Sequence, residues 1–332
     1  MTTSDEPLLS LDRVTVRYPI GRRKTLTAVD GISLDVQEGE TLGLIGESGS
    51  GKSTVARAIV GLAPTSGGTV RWEGRDVSTF GKRDRRDFVE AVQMVFQDPD
   101  SALDPRRTIL QSVREPMDTM GRREKNQRRD AAVKALEDVG LSAQMLDRYP
   151  HQLSGGQKQR ANIARALVTN PRVLICDESV AALDVALQAE ILNLLQDLKD
   201  EYELTVIFIS HDLSVVSHLA DRISVMYLGR VVEHASTAAL LDHTLHPYSE
   251  ALLSAQPLVD PAARGERIIL RGDIPSPLTP PPGCRFNTRC PHAIESCTQT
   301  DPELLTISPG HAAACLRIED LHGVQPQEVT AP

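Results

Sequence analysis

Residues 42–54, LGLIGESGSGKST, pass from an apolar run into a glycine-rich turn and then into a helical pattern. They contain the motif G-x-x-x-x-G-K-[ST], in which backbone N–H groups and the start of a helix surround a phosphate. Lys52 is expected to reach the β- and γ-phosphates of a nucleotide, and Ser53 to bind Mg²⁺. A glycine-rich turn without function is the alternative, but the strand before the motif and the helix after it favour a phosphate site. The candidate phosphate-binding residues are Gly46, Ser48, Gly49, Ser50, Gly51, Lys52, Ser53 and Thr54.

The composition of the chain argues against several classes of protein. Its 332 residues suffice for one large nucleotide-binding domain and an appendage. The 36 Lys and Arg against 45 Asp and Glu give a net charge of −9, which disfavours a general nucleic-acid binder. The basic clusters at 81–86 and 122–129 alternate with acids and amides, as solvated surfaces do. We find neither a membrane-spanning run nor a signal peptide, so we expect the chain to stay in the cytosol.

Strands with one buried face are predicted around the motif. Residues 9–18 and 32–36 alternate apolar with polar side chains, which is typical of an antiparallel sheet at the rim of a domain. Residues 65–77 are expected to form a hairpin that turns at the Gly-Gly pair 67–68. Tyr18 ends the first strand, where its ring either stacks on a base or is an ordinary strand aromatic.

Polar residues end the buried strands that follow. Gln97 ends one of them, and the apolar run VLICDE at 173–178 ends in two carboxylates. Asp177 is expected to hold Mg²⁺, and Glu178 to accept a proton from the attacking water. Helix capping would explain one of these carboxylates but not both. A lone histidine after a strand is more often structural, but His211 completes a series of strand-end polar residues, where ligands bind.

A second candidate anion site lies in a helical segment. Residues 103–166 have a helical pattern with charged faces, which indicates an inserted all-helical subdomain. Within it, LSGGQKQR at 153–160 places a serine hydroxyl and bare backbone amides at a helix start. Because Lys52 and Ser154 are far apart in the sequence, one nucleotide need not touch both within a single chain. The residues that open this helix are Ser154, Gly155 and Gly156.

These motifs together resemble the ATP-binding subunit of an ABC transporter. The matching set is the Lys52 loop, Gln97, LSGGQ, VLICDE, Ala182-Leu183-Asp184 and His211, in the family's order over about the first 260 residues. The resemblance implies an α/β fold: an ABC-type P-loop ATPase core with an antiparallel β subdomain, an inserted α-helical subdomain at about 98–168 and a small C-terminal appendage. It also implies a head-to-tail dimer that holds ATP and Mg²⁺ between the Lys52 loop of one subunit and the LSGGQ loop of the other.

The resemblance assigns roles to individual residues. Tyr18 stacks on adenine, Gln97 contacts Mg²⁺ and the permease, Asp184 crosses the dimer interface and His211 contacts the γ-phosphate. The residues of the LSGGQ loop that face the partner's nucleotide are Ser154, Gly155, Gly156 and Gln157.

Two positions depart from the family pattern. Ser179 follows Glu178 where proline is usual, and Ala181 stands where a hydroxyl is common. Neither change removes a group that touches phosphate. They leave open the geometry after the strand and the coupling across the dimer interface, whereas Glu178 itself indicates a site that can hydrolyse ATP.

The end of the chain resembles the dipeptide, oligopeptide and nickel importer branch. The stretches that carry this resemblance are MYLGRVVE at 226–233, HPYSEALL at 246–253 and IPSPLTPPPGCRF at 274–286. We expect a nucleotide-binding domain over 1–258 and an appendage over 259–332.

This branch implies several partners. They are a second ATPase subunit, two transmembrane permease subunits and, indirectly, an extracytoplasmic solute-binding protein. We expect a non-identical ATPase partner and a peripheral position on the cytoplasmic face of the membrane. The solute, whether dipeptide, oligopeptide or nickel chelate, stays open because the ATPase subunit does not touch it.

Four cysteines cluster in the appendage. Cys284, Cys290, Cys297 and Cys315 have the spacing C-x5-C-x6-C-x17-C, which lacks the C-x-x-C pairs of zinc ribbons. Disulfides are disfavoured in the cytosol. Four thiolates can hold a [4Fe–4S] cluster, to which the resemblance points, while zinc and unliganded thiols remain alternatives. We expect these four to converge on one site, and Cys176 to belong to the core.

Two other classes of function are disfavoured. A soluble ABC ATPase that acts on DNA or ribosomes usually has long coiled-coil insertions or two cassettes, whereas this chain has one Lys52-type loop and a compact helical insert. We therefore expect no nucleic-acid partner. A non-hydrolysing structural subunit is disfavoured by the presence of Glu178 and His211.

Overall fold

The computed structural model describes residues 6–21, 24–121, 124–181, 183–255 and 268–325. The strands are β1 (Leu9–Ile20), β2 (Lys24–Val36), β3 (Thr41–Ile45), β4 (Gly67–Trp72), β5 (Arg75–Asp76), β6 (Val92–Val95), β7 (Val173–Asp177), β8 (Thr205–Ser210), β9 (Arg222–Tyr227), β10 (Arg230–Ser236), β11 (Leu305–Ser308) and β12 (His311–Ala313). The α-helices are α1 (Lys52–Ile59), α2 (Lys82–Ala91), α3 (Pro99–Ala102), α4 (Ile109–Met120), α5 (Lys125–Asp138), α6 (Gly155–Leu167), α7 (Val185–Tyr202), α8 (Leu213–Leu219), α9 (Thr237–Asp242), α10 (Pro247–Ser254), α11 (Glu295–Gln299) and α12 (Ile318–His322).

The described residues fall into two compact units. Unit 1 lies within Met1–Ser10, Asp35–Thr41 and Arg71–Ile209, and unit 2 within Leu11–Leu34, Leu42–Val70 and Ser210–Pro332. The expected boundary between residues 258 and 259 lies outside the described residues.

Parallel strands form the centre of unit 1. β6 pairs with β7 from Val92↔Val173 onward, and β7 pairs with β8 from Val173↔Thr205 onward. Every residue of β7 and β8 is buried, as their continuous apolar sequences predict for strands covered on both faces. The carboxyl ends of β6 and β7 therefore lie at the same edge, where Gln97 and Asp177 occur.

Four helices fill the segment of unit 1 that the sequence predicts to be helical. They are α3 to α6, and they lie between Pro99 and Leu167. α4 begins at a capping box in which Thr108 and Gln111 bond each other's backbone N–H groups. Helices α4, α5 and α6 pack on one another.

Unit 2 contains a mixed sheet with the strand order β3-β9-β10-β12-β11. β3 runs parallel to β9, and the pairs β9–β10, β10–β12 and β12–β11 are antiparallel. The C-terminal strands β11 and β12 thus extend the same sheet that contains β3. In a second sheet β1 lies between β2 and β4.

The predicted hairpin over 65–77 forms, but its turn was placed wrongly. β4 and β5 pair antiparallel through Trp72↔Arg75, so the turn falls at Glu73 and Gly74, both at positive φ. The Gly-Gly pair 67–68 begins β4 instead. The Gly-Gly pair gave a strong local turn signal, but the pairing of β4 with β5 determines where the turn lies.

A buried carboxylate joins the C-terminal hairpin of β11 and β12 to the rest of unit 2. Glu233 in β10 has no exposed surface, and it accepts hydrogen bonds from the backbone N–H groups of Leu245 (2.7 Å) and His246 (3.0 Å). His311 of β12 places its Nε2 2.9 Å from Glu233 Oε1. One side chain therefore holds β10, the start of α10 and β12 together.

Replacing Glu233 by Ala is expected to lower the free energy of unfolding by about 3 kcal/mol, because three buried partners lose their acceptor. Denaturant unfolding of the full chain measures the effect. Glu250→Ala is a matched control, since Glu250 lies exposed on neighbouring α10 and should change stability by no more than about 0.5 kcal/mol. Equal effects of the two substitutions would contradict the role of Glu233.

Candidate functional site

The phosphate loop of unit 2 connects β3 to α1. α1 begins at Lys52, and its N-cap residue Gly51 has φ 106°. Within the described residues, no side-chain hydrogen bond caps this helix. A Cβ at Gly46 would lie 2.2 Å from the Met226 carbonyl oxygen, so glycine is required there. The backbone therefore has the conformation that the sequence motif predicts.

The Lys52 ammonium lies inside this loop. It donates to the carbonyl oxygens of Gly46 (2.7 Å) and Glu47 (3.1 Å) and lies 3.4 Å from Ser50 Oγ. The residue is 3% exposed. A cation that is held by loop carbonyls is placed to turn toward a phosphate once the loop surrounds one. Ser48 and Gly49 are exposed, whereas Ser53 and Thr54 are half-buried on the first turn of α1.

Unit 1 brings together two of the predicted strand-end residues. Gln97 Nε2 donates to Glu178 Oε2 at 2.7 Å. Glu178 has φ 46°, and its N–H donates to the Ile209 carbonyl at 3.0 Å. A glutamate in the left-handed region is uncommon, and such strained residues concentrate at functional sites. Asp177, at the end of β7, and Ser179 are both buried.

The LSGGQ segment begins α6 through its own capping box. Gln157 N–H donates to Ser154 Oγ at 3.3 Å, and Ser154 N–H donates to Gln157 Oε1 at 3.0 Å. Gly155 has open space where a side chain would stand. A Cβ at Gly156 would approach Leu187 Cδ1 of α7 to 2.6 Å, so this glycine allows the two helices to pack closely. Gly155 is therefore exposed at the start of α6, whereas Gly156 is buried against α7.

Asp184 has a role that sequence reasoning missed. Its carboxylate caps α7 by accepting from Leu187 N–H at 3.0 Å. Capping of this helix was the alternative considered for Asp177 and Glu178, and the structure gives that role to Asp184 instead. The sequence signal that could have predicted this cap is an aspartate directly before a helical segment. Ala182 lies outside the described residues.

The remaining predicted residues belong to unit 2. His211 is exposed and directly follows β8, and Asp212 caps α8. Tyr18 is half-buried near the end of β1. The predicted nucleotide residues are therefore divided between the two units. Those in unit 1 are Gln97, Ser154, Gly155, Gly156, Gln157, Asp177, Glu178 and Asp184.

The four appendage cysteines line one cavity of unit 2. Cys284, Cys290, Cys297 and Cys315 share it with His246 and Phe286 among others. Burial raises the pKa of the Cys284 thiol to about 11 and also raises the pKa of Cys290 and Cys315. These thiols therefore stay protonated at neutral pH unless a cation displaces the proton.

Four thiols around one cavity are the donors that a four-thiolate group requires. As the side chains stand, however, no group of three or more potential ligands in the described ranges is arranged to hold a metal ion. Cys176 lies fully buried in β7, where burial raises its pKa to about 12.

Sequence reasoning also missed an ion pair at the phosphate loop. Arg289, between two of the cysteines, contacts Glu47 through both guanidinium Nη atoms. The available sequence signal was an acidic residue inside the loop, because a carboxylate beside a phosphate site needs a cationic partner. The sequence did not indicate that this partner lies 242 residues away.

No helix in the described part of the chain has both the length and the apolar character needed to cross a membrane.

Two family descriptions match the sequence. Residues 29–181 match the family described as ABC transporter. Residues 232–297 match the family described as oligopeptide/dipeptide transporter, C-terminal region. The second match begins in β10 and ends at Cys297, so it includes three of the four cysteines.

Relatives match the chain over most of its length. A putative peptide import ATP-binding protein of Brucella ovis is 47% identical over 314 residues, which cover 95% of this chain and 99% of the relative. The oligopeptide transport ATP-binding protein OppF of Salmonella typhimurium is 48% identical over 301 residues, which cover 90% of each chain.

Solved structures confirm the predicted ABC-type α/β core. MJ0796, a bacterial ABC transporter cassette solved as a dimer, matches with a TM-score of 0.62 and 31% identity over 69% of this chain and 98% of that chain. A dimeric post-hydrolysis state of the same cassette, bound to ADP and Pi, matches with a TM-score of 0.61. The chain therefore belongs to the ABC transporter family, as an ATPase subunit of the branch that carries the oligopeptide/dipeptide transporter C-terminal region.

Proposed function

We propose that this chain hydrolyses ATP to drive the import of peptides or a related small solute through a membrane ABC transporter. The observation that carries the proposal is the combination, in one chain, of the Lys52 phosphate loop with the oligopeptide/dipeptide C-terminal region. Relatives that match 95% and 90% of this chain are named as a putative peptide import ATP-binding protein and an oligopeptide transport ATP-binding protein.

The proposed mechanism divides the work among a few residues. The backbone of the phosphate loop and Lys52 bind the β- and γ-phosphates, and Tyr18 stacks on adenine. Glu178 takes the proton of the attacking water, and its hydrogen bond to Gln97 orients the carboxylate. His211 contacts the γ-phosphate. Ser53, Gln97 and Asp177 would hold Mg²⁺, which would supply positive charge to the phosphates.

Each ATP is proposed to be shared between two subunits. Gly155 at the start of α6 is exposed and has open space where a side chain would stand, which suits an anion supplied by a partner chain. The LSGGQ loop of one subunit would thus close over the Lys52 loop of the other. Binding of two ATP molecules closes the dimer, and hydrolysis lets it reopen. We propose that the partner is a non-identical ATPase subunit.

A groove in unit 1 suits contact with a permease. A cavity of about 380 Å³ is lined by polar and apolar residues of α3, α4, α6 and the loop that joins α3 to α4. A helix of a membrane subunit seated there would contact α3, which begins two residues after Gln97. We therefore propose two permease subunits as partners, with the chain peripheral on the cytoplasmic face of the membrane.

Affinity purification of the intact complex tests this function. We expect two permease subunits, a second ATPase chain and a peptide-binding protein to copurify, and ATP-dependent peptide uptake in proteoliposomes. Uptake of a different solute class would overturn the peptide assignment while leaving the ATPase role intact. An active complex with this chain as its sole ATPase would overturn the non-identical partner.

We propose in addition that the cysteine cavity holds a [4Fe–4S] cluster. Its support is the convergence of four thiols on one cavity within a segment that has few apolar residues to stabilise it. The group would act here as a structural link between Cys284, Cys290, Cys297 and Cys315.

Anaerobic purification is expected to yield about four iron atoms per chain and a sulfur-to-iron charge-transfer absorbance, as four-thiolate clusters do. Cys297→Ser should lose the iron and loosen the appendage without abolishing nucleotide binding at Lys52. Cys176→Ala is the matched control, because it removes a thiol outside the cavity and should keep the iron. Zinc in place of iron, or protein without either metal, would contradict the cluster.

A further inference from the structure

Glu47 places an acidic side chain within the phosphate loop. It is the acidic residue of the sequence GESGSGKST at 46–54. Its carboxylate is bound by Arg289 of the cysteine-rich segment, with Nη1–Oε2 at 2.6 Å and Nη2–Oε1 at 3.0 Å. The Arg289 side chain is 7% exposed and that of Glu47 is 25% exposed. Two parallel N–H···O bonds from one planar guanidinium fix both the distance and the orientation of the carboxylate.

Two further contacts hold the backbone of the same residue. The Glu47 N–H donates to Tyr248 Oη at 2.8 Å, and its carbonyl accepts from Lys52 Nζ at 3.1 Å. Tyr248 is fully buried and packs on Tyr227 with a ring-centroid distance of 4.7 Å. The amide, the carbonyl and the carboxylate of Glu47 are therefore each fixed, and two of these contacts come from residues far along the chain.

The turn that carries Arg289 is itself rigidly placed. Arg289 N–H donates to the Phe286 carbonyl at 3.0 Å. The Phe286 ring packs against Tyr227 at 5.3 Å and Tyr248 at 5.4 Å. Arg285 bonds the Leu228 carbonyl. The backbone that carries the Arg289 guanidinium is thus already fixed, which limits the entropy lost when the guanidinium binds the Glu47 carboxylate.

The charge of Glu47 opposes the function of the loop unless it is neutralised. A carboxylate beside a triphosphate repels it, and this repulsion is strong where water is partly excluded. Loop amides also bind phosphate well only when they are held within about 0.5 Å of the productive geometry. The Glu47–Arg289 pair meets both needs, since it cancels the charge and fixes the loop.

We propose that Arg289 is a positioning residue of the ATP site. It acts through Glu47, and it makes the C-terminal cysteine-rich segment part of the nucleotide-binding machinery. The proposal rests on ATP binding at the Lys52 loop and is independent of which solute is imported.

The test measures ATP and ADP affinity of the full chain in the Glu178→Gln background, so that ATP is not consumed. Arg289→Ala should raise the Kd for ATP by about tenfold or more and the Kd for ADP by less, because the effect scales with phosphate charge. Arg289→Lys should recover part of the loss, since it keeps the charge without the bidentate geometry.

A double variant separates charge balance from simple anchoring of the segment. Removing the unpaired carboxylate in Arg289→Ala/Glu47→Gln should bring the Kd for ATP back to within about threefold of Glu47→Gln alone. If Arg289 only anchored the segment, the double variant would bind ATP as weakly as Arg289→Ala. An unchanged Kd in Arg289→Ala would also overturn the proposal.

Arg317→Ala is the matched control. Arg317 lies in the same C-terminal segment, and its partners Asp320 and the His292 carbonyl both belong to that segment. Its removal should leave the Kd for ATP within about twofold. A tenfold loss in this control would show that any damage to the segment weakens ATP binding, and would overturn the specific role of Arg289. If Arg289→Ala fails to fold, Arg289→Lys and Glu47→Gln are compared instead. A Kd for ATP that rises less than about tenfold in the lysine variant supports charge neutralisation, and a rise of about tenfold in both variants contradicts it.

Discussion

Replacing Glu178 by Gln is expected to lower ATP turnover by about 10²-fold or more while ATP binding stays near normal, since general-base contributions have this size. The Glu178 carboxylate accepts from Gln97 Nε2 at 2.7 Å, and the residue directly follows the buried strand β7. Its backbone is fixed at φ 46° by the hydrogen bond to Ile209. An amide keeps the size of the side chain but cannot accept the proton of water.

Phosphate release by the assembled ATPase, together with nucleotide affinity, measures this effect. Glu137→Gln provides a control, because it makes the same chemical change at an exposed position of α5. It should leave turnover within about twofold. If Glu178→Gln turned over ATP at a near-normal rate, another residue would have to supply the base.

Short sequence patterns predicted the buried strands, the phosphate loop and the polar residues at the strand ends. The apolar run at β7 predicts a strand covered on both faces, and every residue of that strand is buried. The phosphate loop follows from glycines whose conformations other residues cannot adopt, as the close approach of Gly46 to Met226 shows. The contact of Gln97 with Glu178 follows from two adjacent parallel strands that end at the same edge.

Pairings between distant segments were not predictable in this way. The hydrogen bond between Glu233 and His311 joins residues 78 positions apart, and Glu47 and Arg289 are 242 positions apart. Neither pair leaves a periodic signal, since each consists of single charged residues in unlike contexts. Strands β11 and β12 were also not predicted as continuations of the sheet of unit 2. They are short and partly polar, so their own sequences carry no strand pattern, and they become strands by pairing with the edge of that sheet.

The substitution Ser154→Arg is expected to have the other large effect on ATP hydrolysis. If the start of α6 covers the partner's nucleotide, Ser154→Arg should reduce hydrolysis at the partner's Lys52 loop by about 10²-fold or more, as loss of preorganised transition-state contacts does. Nucleotide binding at the chain's own Lys52 loop should persist, because in a shared site the start of α6 covers the partner's nucleotide and not the chain's own. Affinity for a fluorescent ATP analogue and the rate of phosphate release together distinguish the two effects.

Ser154→Ala separates the loss of the helix cap from the steric effect of a large side chain. Loss of the capping box alone costs about 1 kcal/mol of helix stability, so the alanine variant should keep much of its activity. The arginine variant loses the same cap and adds a large cation over the open face at Gly155. If both variants lost hydrolysis equally, the effect would come from a damaged α6, and if the arginine variant kept hydrolysis, the start of this helix would not lie over a partner's nucleotide. A deep loss confined to Ser154→Arg, with the chain's own ATP affinity unchanged, is the result that a shared site requires.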